Sequence, residues 1–352
     1  MRILQLNFER GWRGGERQTL LTMRQLLLAG HEVELLCRKG EDLARRAAEQ
    51  DFVVHEFDGP AAACRFLISR RKQYDVMHAQ TGNTMSWLAF LRPLLKTRVV
   101  FTRRTAFPLR KNDARNAWKW RQADAVVAVC EAAAVEPRRL GLEVAVIPSA
   151  VEPRPLNTAH MKAFAQKHAL EGRRVLATAA AMTVEKDPLT LIDAVHKLWQ
   201  QRQDFVFVHL GAGGSEEAAS RARVKELGLE SVYIFAGFHE GIEDLYRLMD
   251  VFVMSSRQEA LGGACLDAFL YGVPVVSTNA GGLPEVLGDG RGLLSDVGDS
   301  TALAANMARA LDDPALRATM TDLALDYVRR EHEPQTMAAR YLDVYEGVRR
   351  GR

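Results

Sequence analysis

The chain lacks several of the signatures that narrow a protein's chemistry at once. Its four cysteines, Cys37, Cys64, Cys130 and Cys265, show no Cys-x-x-Cys or Cys/His spacing. That argues against a zinc site or a disulfide framework and reads as buried thiols. No apolar run reaches the roughly 18 residues needed to cross a bilayer. The opening Met1-Arg-Ile-Leu-Gln-Leu-Asn lacks the uninterrupted apolar stretch of a signal peptide, so a cytoplasmic protein is expected. No Gly-x-Gly-x-x-Gly follows the first strand candidate with an acid about 20 positions on, which counts against a dinucleotide-dependent dehydrogenase. With only 12 prolines and no low-complexity tract or short-period repeat, the sequence is that of an ordinary globular protein.

The 352 residues, 47% hydrophobic and 26% charged, exceed what one hydrophobic core usually supports, so two domains of about 150 to 200 residues are expected. The formal net charge of +3 conceals an asymmetry. Residues 1–150 carry 25 basic and 16 acidic side chains, the remainder 22 and 28. A basic half implies an anionic partner such as nucleic acid, a phosphorylated substrate or an anionic lipid surface. The acidic half argues against a general nucleic-acid binder.

Apolar runs at 2–6, 33–37, 53–57, 75–79, 98–102, 125–129 and 144–147 alternate with helix-length stretches, the first of them at 18–28. Such alternation predicts βαβ units and a parallel sheet covered on both faces. Pro148-Ser-Ala-Val-Glu-Pro153-Arg-Pro155 is a linker signature, and a second alternating series follows at 175–179, 205–210, 232–235, 251–254 and 273–277. The expected organisation is a lobe over 1–152, a lobe over 153–334, and a last helix over 335–352 docking back on the first lobe. Breaks near Pro314 and Pro334 divide the terminal helices.

The most informative stretch is Ser255-Ser-Arg-Gln-Glu259-Ala-Leu-Gly262-Gly263-Ala-Cys-Leu-Asp267, which leads through an apolar helix to Gly272-Val-Pro274-Val-Val and Gly281-Gly282. Free amides at a helix start bind phosphate, and glycine permits close approach. Glu259 stands just before that start and Asp267 about one turn inside it. A carboxylate pair around a phosphate cradle suits a sugar nucleotide, the acids accepting from hydroxyls while amides hold the diphosphate.

This stretch resembles the signature of family 4 of the retaining glycosyltransferases. The resemblance implies the GT-B fold: α/β, with two Rossmann-like doubly wound lobes facing a central cleft. It implies that Glu259 contacts the transferred sugar, that Asp267 holds the ribose hydroxyls, and that Leu261, Gly262 and Gly263 line the diphosphate. Asp stands where relatives carry a second Glu, and Ala260 where they carry Gly. The family's Gly-Gly loop is matched by Gly14 and Gly15, which would close over the donor. Lys186, in Ala179-Ala-Ala-Met-Thr-Val-Glu-Lys186-Asp-Pro188, matches the lysine that neutralises the leaving diphosphate. Its usual arginine partner aligns with Ala181, a departure for which Arg103, Arg104 or Arg257 could compensate. Gly211 and Gly213 match a glycine turn beside the base or diphosphate. On the acceptor side, Gln80 and Arg104 replace two family histidines.

The segment 92–121 holds ten basic side chains and one acid, Asp113, with Trp118 and Trp120 among them. Basic residues interleaved with aromatics serve single-stranded nucleic acid, an anionic membrane surface or a phosphorylated glycolipid. The resemblance favours the last, with Arg103, Arg104, Arg110, Lys111 and Trp118 as the contacting residues and Phe107 and Pro108 near acyl chains. The chain contains no Asp-x-Asp, so no metal or other cofactor is expected, cations and helix dipoles stabilising the leaving group instead. The resemblance thus implies transfer of a sugar from a UDP- or GDP-sugar to a glycan or glycolipid. Lipopolysaccharide core or other cell-envelope glycan synthesis is the expected setting, at the cytoplasmic face of a membrane and without nucleic acid. A GT-B sugar-nucleotide epimerase and a catalytically weak nucleotide-binding scaffold are the alternatives.

Overall fold

The computed structural model describes residues 1–109 and 113–351. They fall into two units, Met1–Ala150 with Glu331–Arg352, and Val151–Arg330. In the first, seven strands, β1 (Arg2–Asn7), β2 (Glu32–Arg38), β3 (Val53–Phe57), β4 (Val76–Ala79), β5 (Arg98–Arg103), β6 (Ala125–Ala128) and β7 (Val144–Val146), form one parallel sheet. The order is β3-β2-β1-β4-β5-β6-β7, reversing direction between β1 and β4. Helices cover both faces, and one apolar cluster fills each: Ile3, Leu35, Val100 and Val127 on one side, Leu4, Leu36, Met77 and Phe101 on the other. Neighbouring residues of one strand therefore belong to different cores, as the two-residue period of a strand dictates.

The second unit repeats the plan with β8 (Arg174–Ala179), β9 (Phe205–Leu210), β10 (Tyr233–Gly237), β11 (Val251–Met254), β12 (Val275–Thr278) and β13 (Leu293–Ser295). The order is β10-β9-β8-β11-β12-β13, with the reversal between β8 and β11. The strand expected at 273–277 begins only at Val275. Pro274 has no N–H to give the ladder, and only its carbonyl takes part, accepting from Phe252 (2.9 Å). Strand β13 carries no periodic signal because three residues are too few to show one. The helix expected at 18–28 starts at Gly14, its first turn closed by the Glu16 carboxylate accepting from the Arg13 N–H (3.1 Å). Cys37, Cys130 and Cys265 are buried, whereas Cys64 is only half-buried on the helix Pro60–Ser69.

The last helix, Pro334–Arg350, packs on Gly14–Leu28 and sends two tyrosines into the first unit. The Tyr345 hydroxyl lies 2.7 Å from His78 Nδ1 and accepts from Gln5 Nε2 (3.2 Å), while His78 Nε2 meets the Thr102 hydroxyl (2.7 Å). Tyr341 reaches the same threonine (3.2 Å). Burial, reinforced by the Arg104 charge, holds His78 well below its ordinary 6.5. The folded protein therefore keeps this imidazole neutral, whereas the unfolded chain protonates it below pH 6.5. The unfolded state then binds more protons, and stability falls as pH drops from about 6.5 towards 5, with a slope approaching 1.4 kcal/mol per pH unit for this group. Urea unfolding at pH 7.5 and 5.5 is expected to give the lower midpoint in acid. A His78→Gln variant is expected to be less stable at pH 7.5 but to show a flatter dependence, and an unchanged slope would remove His78 as its source.

Candidate functional site

In doubly wound sheets, ligands bind outside the carboxyl ends of the strands where the order reverses. In the second unit those ends are β8 and β11, and the loops that leave them are joined. The Glu185 carbonyl accepts from the N–H groups of Arg257 (2.8 Å) and Gln258 (3.2 Å). The Ser255 hydroxyl donates to the carbonyls of Lys186 and Asp187, 2.9 Å each. Asp187, with a left-handed backbone, caps the helix Pro188–Gln201 and accepts from Arg257 Nε (2.7 Å). Across this seam the Lys186 ammonium and the Glu259 carboxylate form an ion pair.

Glu259 is held by its backbone as well. Its carbonyl accepts from the Gly282 N–H (3.3 Å), and at Gly281 (φ +54°) a β-carbon would lie 1.9 Å from that carbonyl. Only glycine fits there. Leu261 is buried, and Gly262, at φ +77°, starts the helix Gly263–Leu270. The amides of Gly263 and Ala264 open that helix with no protein acceptor among the described residues, as helix geometry requires of a first turn. Asp267, 6% exposed, sits one turn in. The Cys265 thiol between them is raised chiefly by burial, with Glu259 and Asp267 adding to the rise and Lys186 opposing it. One side chain thus registers all three charged residues.

The turn after β9 borders the same loop. The Gly211 N–H donates to the Gly237 carbonyl (2.7 Å), and the Gly213 N–H donates to the Glu217 carboxylate (2.7 Å). Both amides already have partners, unlike those of Gly263 and Ala264. Ala180, Ala181, Lys186, His209 and Ser256 line a narrow depression there. Two of these escaped the sequence reading. His209 is buried against the Tyr233 hydroxyl (2.8 Å) and the Ala180 carbonyl (3.0 Å), and Ser256 keeps a buried hydroxyl without a partner among the described residues. His209 stands in no motif and Ser256, although inside the stretch from Ser255 to Asp267, has no role in its reading; only the pairing of β8 with β9 and β11 brings them together.

In the first unit the reversal lies between β1 and β4. Gly14 and Gly15 are the first two residues of their helix, and a β-carbon on Gly15 would lie 3.8 Å from the Arg104 side chain. Gln80 follows β4 directly, is 2% exposed, and accepts from Arg104 Nε (3.1 Å) and Nη2 (2.6 Å). The two residues that replace family histidines therefore bond to each other.

The basic segment is largely consumed within the unit. Arg92 and Arg98 both pair with Asp124, and Arg121 donates to the Leu140 carbonyl. Arg103 needs correction as a surface contact. It is 4% exposed, donates to the carbonyls of Ala133 (3.0 Å) and Phe107 (2.6 Å), and lies over the Trp120 ring. A guanidinium so engaged tethers a loop and is not offered to an anion. Arg110 and Lys111 lie outside the described residues. Trp118 is exposed beside Phe90, their rings 5.4 Å apart.

Two family models match, Glycosyltransferase Family 4 over residues 12–154 and Glycosyl transferases group 1 over 161–325. The chain belongs to the glycosyltransferases of family 4 type with the GT-B fold. It is 32% identical to a 2-deoxystreptamine glucosyltransferase of Streptomyces kanamyceticus over 56% of this chain and 54% of that one. It is 27% identical to the lipopolysaccharide core mannosyltransferase LpsB of Rhizobium meliloti, over 78% and 80%. The matched stretch spans about half the length of the Streptomyces relative, and 34% and 44% of two other curated relatives. The fold is similar to that of Anabaena HepE in its complex with UDP and glucose, at a TM-score of 0.88 and 19% identity over 99% of this chain and 100% of that one.

Replacing Gly281 by alanine is expected to displace the Glu259 carbonyl and cost about 2 kcal/mol or more, read as a lowered melting temperature. An unchanged melting temperature would show that the loop relaxes without strain.

Proposed function

We propose that the chain moves a sugar from a nucleoside-diphosphate sugar to a glycan or glycolipid acceptor, retaining the α configuration. The observation that carries this reading is the Lys186–Glu259 pair set beside the free amides of Gly263 and Ala264. In the unliganded protein the two charges neutralise each other. A donor gives each a new partner, the diphosphate taking Lys186 and the amides, the sugar hydroxyls donating to Glu259. Asp267 accepts from the ribose, Leu261 and Gly262 shape the wall, and Gly211 and Gly213 approach the base or diphosphate.

The carbon–oxygen bond from sugar to diphosphate breaks while the acceptor oxygen attacks the same face, and the departing diphosphate takes the acceptor proton. Such a route needs no protein nucleophile, only stabilisation of the charge that builds on the leaving group. Lys186 supplies it, with the helix amides in the place of a metal. Arg257, 54% exposed and anchored by Asp187, is the cation best placed to replace the arginine missing at Ala181, since its backbone is already bonded to the Lys186 loop.

The acceptor would meet the first unit at Gly14, Gly15, Gln80 and Arg104, and the exposed Phe90–Trp118 pair would rest against acyl chains or the bilayer surface. This contact would be peripheral, at the cytoplasmic face; no helix among the described residues is long and apolar enough to cross a membrane. The Rhizobium relative's name points to lipopolysaccharide core as the first acceptor to try, and the UDP in Anabaena HepE to uridine as the first base.

Thermal shift with UDP, GDP and ADP is expected to single out one base, and the matching sugar nucleotide should be hydrolysed slowly without acceptor. Stabilisation by none of the three would remove the donor site. Lys186→Ala is expected to weaken diphosphate binding at least tenfold. Glu259→Gln should tighten diphosphate binding a few-fold by freeing Lys186, yet reduce transfer a hundredfold or more. Equal binding and wild-type turnover in the glutamine variant would exclude Glu259 from the reaction.

A further inference from the structure

The first unit also carries a cationic concavity at the end of its sheet opposite Gly15, Gln80 and Arg104. A cavity of about 680 Å3 is lined by Arg71, Lys72, Lys96, Arg98, Arg349 and Arg350. Arg98 opens β5, and the lining residue Asp75 immediately precedes β4, so the cavity lies at the amino ends of these strands. At about 3.3 Å per residue, a strand's length of roughly 13–20 Å separates it from the carboxyl ends.

Among the described residues, only two carboxylates line the cavity, and both are engaged. Asp75 accepts from the Arg2 N–H (2.8 Å) and faces Arg349 (3.5 Å), and Glu346 pairs with Arg350 (2.6 Å). Arg98 has Asp124 at 2.8 Å, but its Nε is buried without a partner among the described residues. Arg71 gives one N–H to the Ile68 carbonyl (3.1 Å). Lys72 and Lys96, both exposed, have no ion-pair partner among the described residues. Arg98, Arg349 and Arg350 thus have carboxylate partners, whereas Arg71, Lys72 and Lys96 have none among the described residues and repel one another unless an anion intervenes; planar guanidinium forks match phosphate oxygens. The volume is that of a small-molecule site and exceeds what a single phosphate fills.

We propose that this cavity binds an oligophosphate, a ligand with two or more linked phosphates, at a site separate from that of the sugar donor. It would bridge the lysines at the amino ends of β4 and β5 to Arg349 and Arg350, clamping the terminal helix that also carries Tyr341 and Tyr345. The proposal does not depend on the transfer reaction.

The test is calorimetric titration of the whole chain with inorganic tripolyphosphate at low and at physiological ionic strength. Because the donor site also suits linked phosphates, the titration is run in the Lys186→Ala background. One equivalent is expected to bind there, more weakly as salt rises. Lys72→Glu with Lys96→Glu is expected to reduce the affinity tenfold or more while leaving the far-ultraviolet circular dichroism unchanged, since both side chains are exposed. Cosedimentation with phosphatidylglycerol vesicles separates the two sources of phosphate. Tripolyphosphate binding that the charge reversal weakens identifies a free ligand, whereas vesicle binding alone overturns the proposal, since each of these headgroups carries a single phosphate. Binding to neither probe, or binding that survives the charge reversal, overturns the proposal.

Discussion

The candidate donor site depends on a seam of backbone hydrogen bonds between two loops that leave adjacent strands. The Glu185 carbonyl takes two amides from the β11 loop, and the Ser255 hydroxyl gives its proton back to the β8 loop. Lys186 and Glu259 are 73 residues apart in sequence, and this seam presents them to each other. Their ion pair is a consequence of the seam rather than its cause: the pair is partly exposed, and such pairs contribute little to stability. What the pairing does is hold a cation where the diphosphate of the proposed donor would arrive and a carboxylate where its sugar hydroxyls would.

Much of this was legible in the residues. The strand–helix alternation follows from short apolar runs of about five residues between longer stretches, and the sheets contain every strand so expected, with β13 in addition. The start of the helix Gly263–Leu270 was readable because a glycine pair stands between a buried strand and an apolar run of helix length. The contacts that decide which side chains remain available were not readable. Arg103 and Arg104 are consecutive in sequence and alike in type, yet one faces the interior and ties down a loop while the other turns towards Gly15. Strand alternation sends them to opposite sides, but which side carries the site depends on packing that no local pattern encodes. Likewise, the count of basic residues in 92–121 says nothing of Asp124, which lies just beyond the segment and neutralises two of them.

The bond between Gln80 and Arg104 alters how the departures from the family pattern are to be understood. Taken singly, each replaced histidine reads as a lost function. Together they form a fixed donor–acceptor unit in which the buried amide carbonyl orients the guanidinium. Two titratable imidazoles have given way to a permanent charge with a neutral anchor. The face of the first unit proposed to meet the acceptor therefore presents a guanidinium held in place by a buried amide.

The return of the last helix to the first unit bears on how the chain is made. Val151–Arg330 is contiguous and can collapse as soon as it leaves the ribosome. The first unit cannot, because the hydroxyls that satisfy His78 and Gln5 belong to Tyr345, 267 and 340 residues downstream. Through most of synthesis that polar cluster stands open to water, and the lobe emerging first is the one completed last. A ribosome stalled before the final helix would thus release a chain with one finished lobe and one unclosed core, the form that quality-control proteases recognise.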